Sequence, residues 1–198
     1  MKAMKNRWYT LLLLLGLYSC HHLATNNPHI IIQTGKGEIE LELYPKQAPK
    51  TVAAFLSYID SDYFNNSSFY RVLNEYNQPS NAPKTELIQG GLWKTNQKKA
   101  ASIPGIPHEN TEQTQLHHTD GVISLARLAP GTAGTEFFIC IGDQPGLDYG
   151  GENIDDKQGF AAFGKVVRGM DVVMKIYRQN DIDQYFVPQV PIFSIVRK

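Results

Sequence analysis

The amino-acid sequence predicts a mainly β fold, a barrel of short strands with a helix over each open end. Glu38 to Leu43 alternates charged and apolar residues strictly, which is the period of a half-buried strand. Two stretches, one early and one late, switch to helical spacing. Between them lie short apolar runs broken by Gly, Pro, Asp and Asn, as at Asp120-Gly121 and Pro130-Gly131. With 16 Gly and 11 Pro in 198 residues, the chain is rich in turns, which favours strands over a helical bundle. No internal repeat interrupts this pattern, and the length suits one domain.

The N-terminus stands apart from the fold. Lys2, Lys5 and Arg7 precede an apolar run from Trp8 to Leu17 that includes Leu11–Leu15. The run is shorter than the ~20 residues of a spanning helix and has the shape of a secretory signal. It ends at Leu17-Tyr18-Ser19-Cys20, which resembles a bacterial lipobox, although Tyr18 is bulky for one. Under that reading residues 1–19 are removed, Cys20 is lipidated, and residues 20–28 tether a domain covering 29–198. Several acyl chains would hold it firmly, since one binds only marginally. The protein would then sit in the bacterial cell envelope, lipid-anchored and facing the periplasm. Ordinary signal cleavage beside an incidental cysteine is the alternative.

The domain opens with Ile30–Ile32, a Gly35-Lys36-Gly37 turn and the alternating run, a hairpin in which Ile39, Leu41 and Leu43 face one side and three glutamates face water. Pro49 then suits a first helical turn, and Val52, Phe55, Leu56 and Ile59 form one stripe ending near Asp60-Ser61. Strands are expected at Ser68–Leu73, Glu86–Gln89, Gly121–Ala126, Glu136–Ile141 and Phe160–Val167. A second stripe, Met170, Val173, Met174 and Tyr177, carries Asp171 near its positive end. Ile192–Val196 closes the chain.

Several function classes are excluded. The 19 basic and 19 acidic side chains cancel, against a nucleic-acid partner. There is no nucleophile elbow, HExxH, phosphate-cradling loop or paired cysteine motif. His108, His117 and His118 lack ligand spacing and read as surface or structural residues. The carboxylates of 143–159 fail the EF-hand order and read as a solvated loop. Cys140, in an apolar run, reads as a small core residue. No metal or cofactor is expected, and a monomer is.

Four ordered motifs carry a resemblance: Phe69-Tyr70-Arg71-Val72, Gln89-Gly90-Gly91, Gly134-Thr135-Glu136-Phe137-Phe138-Ile139 and Phe163-Gly164-Lys165-Val166-Val167. Together they resemble the cyclophilin signature, bacterial branch, from about Ile30 to Lys198. The resemblance implies an eight-stranded antiparallel β-barrel capped by two α-helices, and rotation of X–Pro peptide bonds in proline-containing polypeptides. The barrier there is ~18–20 kcal/mol, set by amide resonance. Arg71 matches the catalytic arginine, whose fork can donate to the prolyl nitrogen as resonance is lost. A preorganised donor of that kind is worth on the order of 3 kcal/mol. Gln89 matches the contact to substrate backbone, and Leu87 and Phe138 match walls of the proline pocket. Ala126, Arg127, Leu128 and Leu147 match the peptide groove. For the apolar positions plain core packing is the competing reading. Phe137 and Phe138 must point to opposite faces.

The sequence also departs from the family pattern. Glu86 stands for a pocket phenylalanine, Arg127 for Asn, Glu136 for Gln, Gly146 for an aromatic and Phe160 for His, and an insertion includes Asn77–Lys84. Phe160 is expected to restore apolar wall lost at Glu86, and Arg127 is expected to pair with Glu136 across the groove. Weaker binding of cyclic peptides is expected. A non-catalytic proline-peptide module on the same fold stays open beside the isomerase.

Overall fold

The computed structural model describes residues 27–198. The expected signal, Cys20 and most of the expected tether lie outside them. The elements are β1 (His29–Thr34), β2 (Gly37–Leu43), α1 (Pro49–Asp60), β3 (Ser67–Leu73), β4 (Leu87–Gly91), α2 (Gln97–Ser102), α3 (Thr111–Thr114), β5 (Val122–Leu125), β6 (Phe137–Cys140), β7 (Ala161–Arg168), α4 (Met170–Tyr177), β8 (Asp181–Ile182) and β9 (Tyr185–Arg197). The strands run in the order β1-β2-β7-β5-β6-β4-β3-β9, and β1 pairs back onto β9. Eight antiparallel strands therefore close on themselves, which removes free edges. The two-residue β8 is a side ribbon on β9.

Inside the ring, alternate strand residues meet. Ile30, Ile32, Ile39, Leu41, Leu43, Ile123, Phe137 and Phe163 are fully buried. Phe55 of α1 enters this core and packs against Phe64, Phe137 and Phe163 at centroid distances of 5.0, 5.7 and 4.9 Å. Ala48 cannot cap α1, so Glu109 does so from afar. Its carboxylate accepts from Lys50 N, Thr51 N and Thr51 Oγ1, placing negative charge at the helix N-terminus.

Four details differ from the sequence reading. Glu40 is buried, not solvated, because His29, Arg168 and Lys198 converge on it at 2.8–2.9 Å. The Lys198 bond, then the His29 bond, hold its carboxyl below the usual range. In α4 the buried residues are Val172, Val173 and Ile176, with Met170, Met174 and Tyr177 only partly covered, so the stripe is turned around the helix. β9 begins at Tyr185, well before Ile192, running through Pro188 and Pro191. Neither proline has to donate to the barrel ladder there. Finally, α2 and α3 are additional short helices, capped by Asn96 and Asn110; α2 buries no residue, so no apolar stripe announces it.

Candidate active site

A cleft of about 550 Å³ opens on the outer face of the barrel, lined by Tyr70, Arg71, Gln89, Trp93, Ala126, Arg127, Leu128, Glu136 and Tyr185 among others. Its centre is set by a bulge. Phe69 pairs with Gly90, yet Arg71 pairs with Gln89, so Tyr70 is an extra residue in β3. Phe69 and Val72 point into the core, and the two residues between them both face outward. Arg71 thereby stands beside Gln89.

The Arg71 guanidinium is held by two side-chain amides. Nε and Nη2 donate to Gln184 Oε1 at 3.2 and 2.6 Å, and Nη1 donates to Gln89 Oε1 at 3.3 Å. No carboxylate reaches Arg71 among the described residues. Gln184 sits in the β8–β9 turn at φ 72°. Its own backbone N–H and side-chain NH2 are fixed by Asp181 and by Asn77 O. Nothing in the sequence pattern announces Gln184, which lies 113 positions from its partner.

Beside this cleft, on the same face of the sheet, lies an apolar cluster of Leu87, Phe138, Cys140 and Leu147, with Ala126, Phe160 and Leu73 packed on it. Phe138 is thus on the opposite face of β6 from Phe137. Phe160 meets Phe138 edge-on at 5.4 Å. On the other side of Phe138 the His118 ring stacks at 5.9 Å. His118 Nδ1 bonds Asp148 Oδ1 at 2.6 Å and Nε2 bonds Ser124 Oγ at 3.0 Å. That is hydrolase order, but His118 is 1% and Ser124 0% exposed, closed to any substrate. Burial pushes the Cys140 thiol up, so it is inert as a nucleophile.

The family of cyclophilin type peptidyl-prolyl cis-trans isomerases matches residues 29–197. This chain belongs to the cyclophilins. It is 34% identical over 163 residues to peptidyl-prolyl cis-trans isomerase A of Dickeya dadantii, covering 82% of this chain and 77% of that one. To peptidyl-prolyl cis-trans isomerase B of Escherichia coli it is 34% identical over 148 residues, covering 74% and 82%. The fold is similar to a Cryptosporidium parvum cyclophilin solved in the presence of the dipeptide Ala-Pro, at a TM-score of 0.66 and 22% identity, over 86% of this chain and 98% of that one.

The departures of this cyclophilin from the expected pattern have local accounts. Glu86 turns away from the cleft and accepts from the Tyr177 hydroxyl of α4. Beside Gly146, Asn153 fills the space: a Cβ there would lie 1.9 Å from Asn153 Oδ1. The expected Arg127–Glu136 pair does not form. Arg127 bonds Asp156 at 2.7 and 2.9 Å and Gly159 O at 2.9 Å, with its guanidinium 5.3 Å over the Phe160 ring. Glu136 instead accepts from Tyr70 Oη, Thr135 Oγ1, Leu92 N and Trp93 N. A carboxylate with four donors in place has no need of a distant cation. Of the candidate residues, Arg71, Gln89, Ala126, Arg127 and Leu128 line the cleft, Leu87, Phe138, Leu147 and Phe160 lie in the cluster beside it, and Glu86 is in neither.

Proposed function

We propose that this chain accelerates cis–trans rotation of X–Pro bonds, with Arg71 as its catalytic residue. One observation carries the reading. The Arg71 fork borders an open cleft and is oriented by neutral amide oxygens alone. Its positive charge is therefore not cancelled. As the amide twists, the prolyl nitrogen regains a lone pair that the planar ground state lacks. A donor aimed at that nitrogen binds the twisted form preferentially, and no bond to the enzyme is needed. Gln89 would hold the adjoining backbone, and Phe138, Leu87 and Leu147 would floor the proline site. Relatives named as isomerases and a fold relative solved with Ala-Pro support proline-containing polypeptides as the ligand.

Exchange spectroscopy on an X–Pro peptide, comparing wild type with Arg71→Ala, tests this. A loss of about 100-fold in kcat/KM is expected from removing such a donor. An unchanged rate would sink the assignment.

A second reading, a non-catalytic proline-peptide module, has one observation behind it. Phe138, Leu147 and Leu87 are only 3%, 4% and 5% exposed, little apolar surface for gripping a ring. Under it the peptide binds and wild type gives no acceleration. The N-terminal pattern supports a lipid anchor at Cys20, a periplasm-facing place in the envelope, a role in folding envelope or secreted proteins, and a short tether to the domain, which we take as a monomer. Labelled-lipid incorporation that persists in Cys20→Ser would overturn the anchor.

A further inference from the structure

The bond pattern around Glu136 extends to the cleft. Arg71 Nη1 donates to Gln89 Oε1 at 3.3 Å, Gln89 Nε2 donates to Tyr70 Oη at 2.8 Å, and Tyr70 Oη donates to Glu136 Oε2 at 2.9 Å. One end of this chain is a guanidinium, which can only donate. The other is a carboxylate, which when ionised can only accept. Between such ends each link has a single direction. The Tyr70 proton must face Glu136, its lone pair must face Gln89, and Gln89 must show its NH2 to Tyr70 and its oxygen to Arg71.

The carboxylate is held in place to do this. Gly91, at φ 139°, has no Cβ; one there would lie 2.6 Å from Glu136 Oε2. The same backbone turn brings Leu92 N and Trp93 N to Oε1 at 2.9 and 3.0 Å, a small anion-binding nest. Glu136 has no ion-pair partner among the described residues. Its charge is met only by hydrogen-bond donors, and its other oxygen is left to Tyr70.

We propose that Glu136 is a positioning residue, whose ionised carboxylate orients Gln89 through Tyr70 and so fixes one of the two acceptors that hold Arg71. This rests on the isomerase reading above. A neutral amide at position 136 can donate as well as accept, so it no longer demands the Tyr70 proton and leaves Arg71 alone to orient Gln89. Burial raises the Glu136 carboxyl above the usual range, against the pull of its four donors. The working form is the ionised one, so activity is present above this raised pKa and falls as pH drops through it. The other charged or titratable groups that line the cleft with Glu136 are Tyr70 and Arg71 on β3, Arg127 after β5 and Tyr185 on β9, and the basic residues next in sequence to its lining are Lys94 after β4 and Lys98 and Lys99 on α2. Lys94 lies over Tyr185, Lys99 over Tyr63, and Arg127 is paired with Asp156.

The test compares wild type, Glu136→Gln, Tyr70→Phe, the double variant and Arg71→Ala by exchange spectroscopy on a blocked X–Pro peptide without titrating groups, from acid to neutral pH. The Gln89 side-chain NH2 signals are recorded alongside. Glu136→Gln and Tyr70→Phe should each lower kcat/KM about three- to tenfold at neutral pH, the size of one hydrogen bond. The double variant should be no worse than either single one, because both cut the same chain. Glu136→Gln should also lose the acid fall in rate and the protection of the Gln89 NH2. A Glu136→Gln protein that matches wild type at every pH, or that is slower with the acid fall intact, overturns the proposal while an inactive Arg71→Ala leaves the isomerase standing. Wild type and Arg71→Ala both at the uncatalysed rate overturn the two together.

Discussion

Two arginines border the same cleft and are treated in opposite ways. Arg127, on the far side, is paired with Asp156, bonded to Gly159 O and laid over Phe160, with its side chain 1% exposed. Arg71, on the near side, is steadied by the oxygens of Gln184 and Gln89 and by no carboxylate among the described residues. A carboxylate would orient a guanidinium and cancel it at once; an amide oxygen orients it and leaves its charge for a ligand. The pair teaches that a place in the lining of a cleft is not what marks a catalytic group. The chemistry of whatever holds it is. Arg127 closes the wall of the cleft, and Arg71 remains available in it.

That contrast can be broken by substitution. The largest effect should follow Arg71→Lys. An ammonium keeps the charge but not the planar fork, so kcat/KM should fall about 100-fold, almost as far as in the alanine variant. Near-wild-type turnover would mean that charge alone suffices. Gln184→Ala removes the acceptor of Nε and Nη2, and should cost about tenfold in kcat/KM with little change in melting temperature. Arg127→Ala should change kcat/KM by less than about threefold, since its charge is already spent. It should instead destabilise the fold by about 1–2 kcal/mol through the lost Gly159 bonds and packing. A larger loss of turnover than of stability would reverse the roles assigned to the two arginines. The smallest effect is an acid one. The Arg127 bonds hold the Asp156 carboxyl at about 2, below its ordinary 3.8. A lowered pKa stabilises the fold above the ordinary value and loses that contribution as pH falls toward 2. Asp156→Asn should therefore flatten the loss of stability between about pH 4 and 2, and lower stability by a constant amount above that range.

Much of the barrel was legible in the chain. Period-2 alternation placed Ile39, Leu41 and Leu43 inward, and adjacency alone put Phe137 and Phe138 on opposite faces. The α1 stripe was equally plain. Glu40 was not, because three basic groups come to it from β1, β7 and the C-terminus. Nor was the destination of Arg127, since Asp156 lies 29 positions on in an irregular loop. The bulge at Tyr70 is a third case. Strict alternation would send Tyr70 and Arg71 to opposite faces, and only the pairing of β3 with β4 shows that both point into the cleft.

Local periodicity and the four motifs determined by themselves which apolar residues of the strands and of α1 enter the core, how many strands close the ring, and where Arg71, Gln89 and Glu136 stand along the chain. The tertiary structure alone decided what each of them touches. Hydrogen bonds are short and directional, so their partners depend on loops brought together across the fold, such as Gln184 against Arg71 and Tyr70 against Glu136. Hydrophobic burial is neither, and its periods can be read from a string of letters.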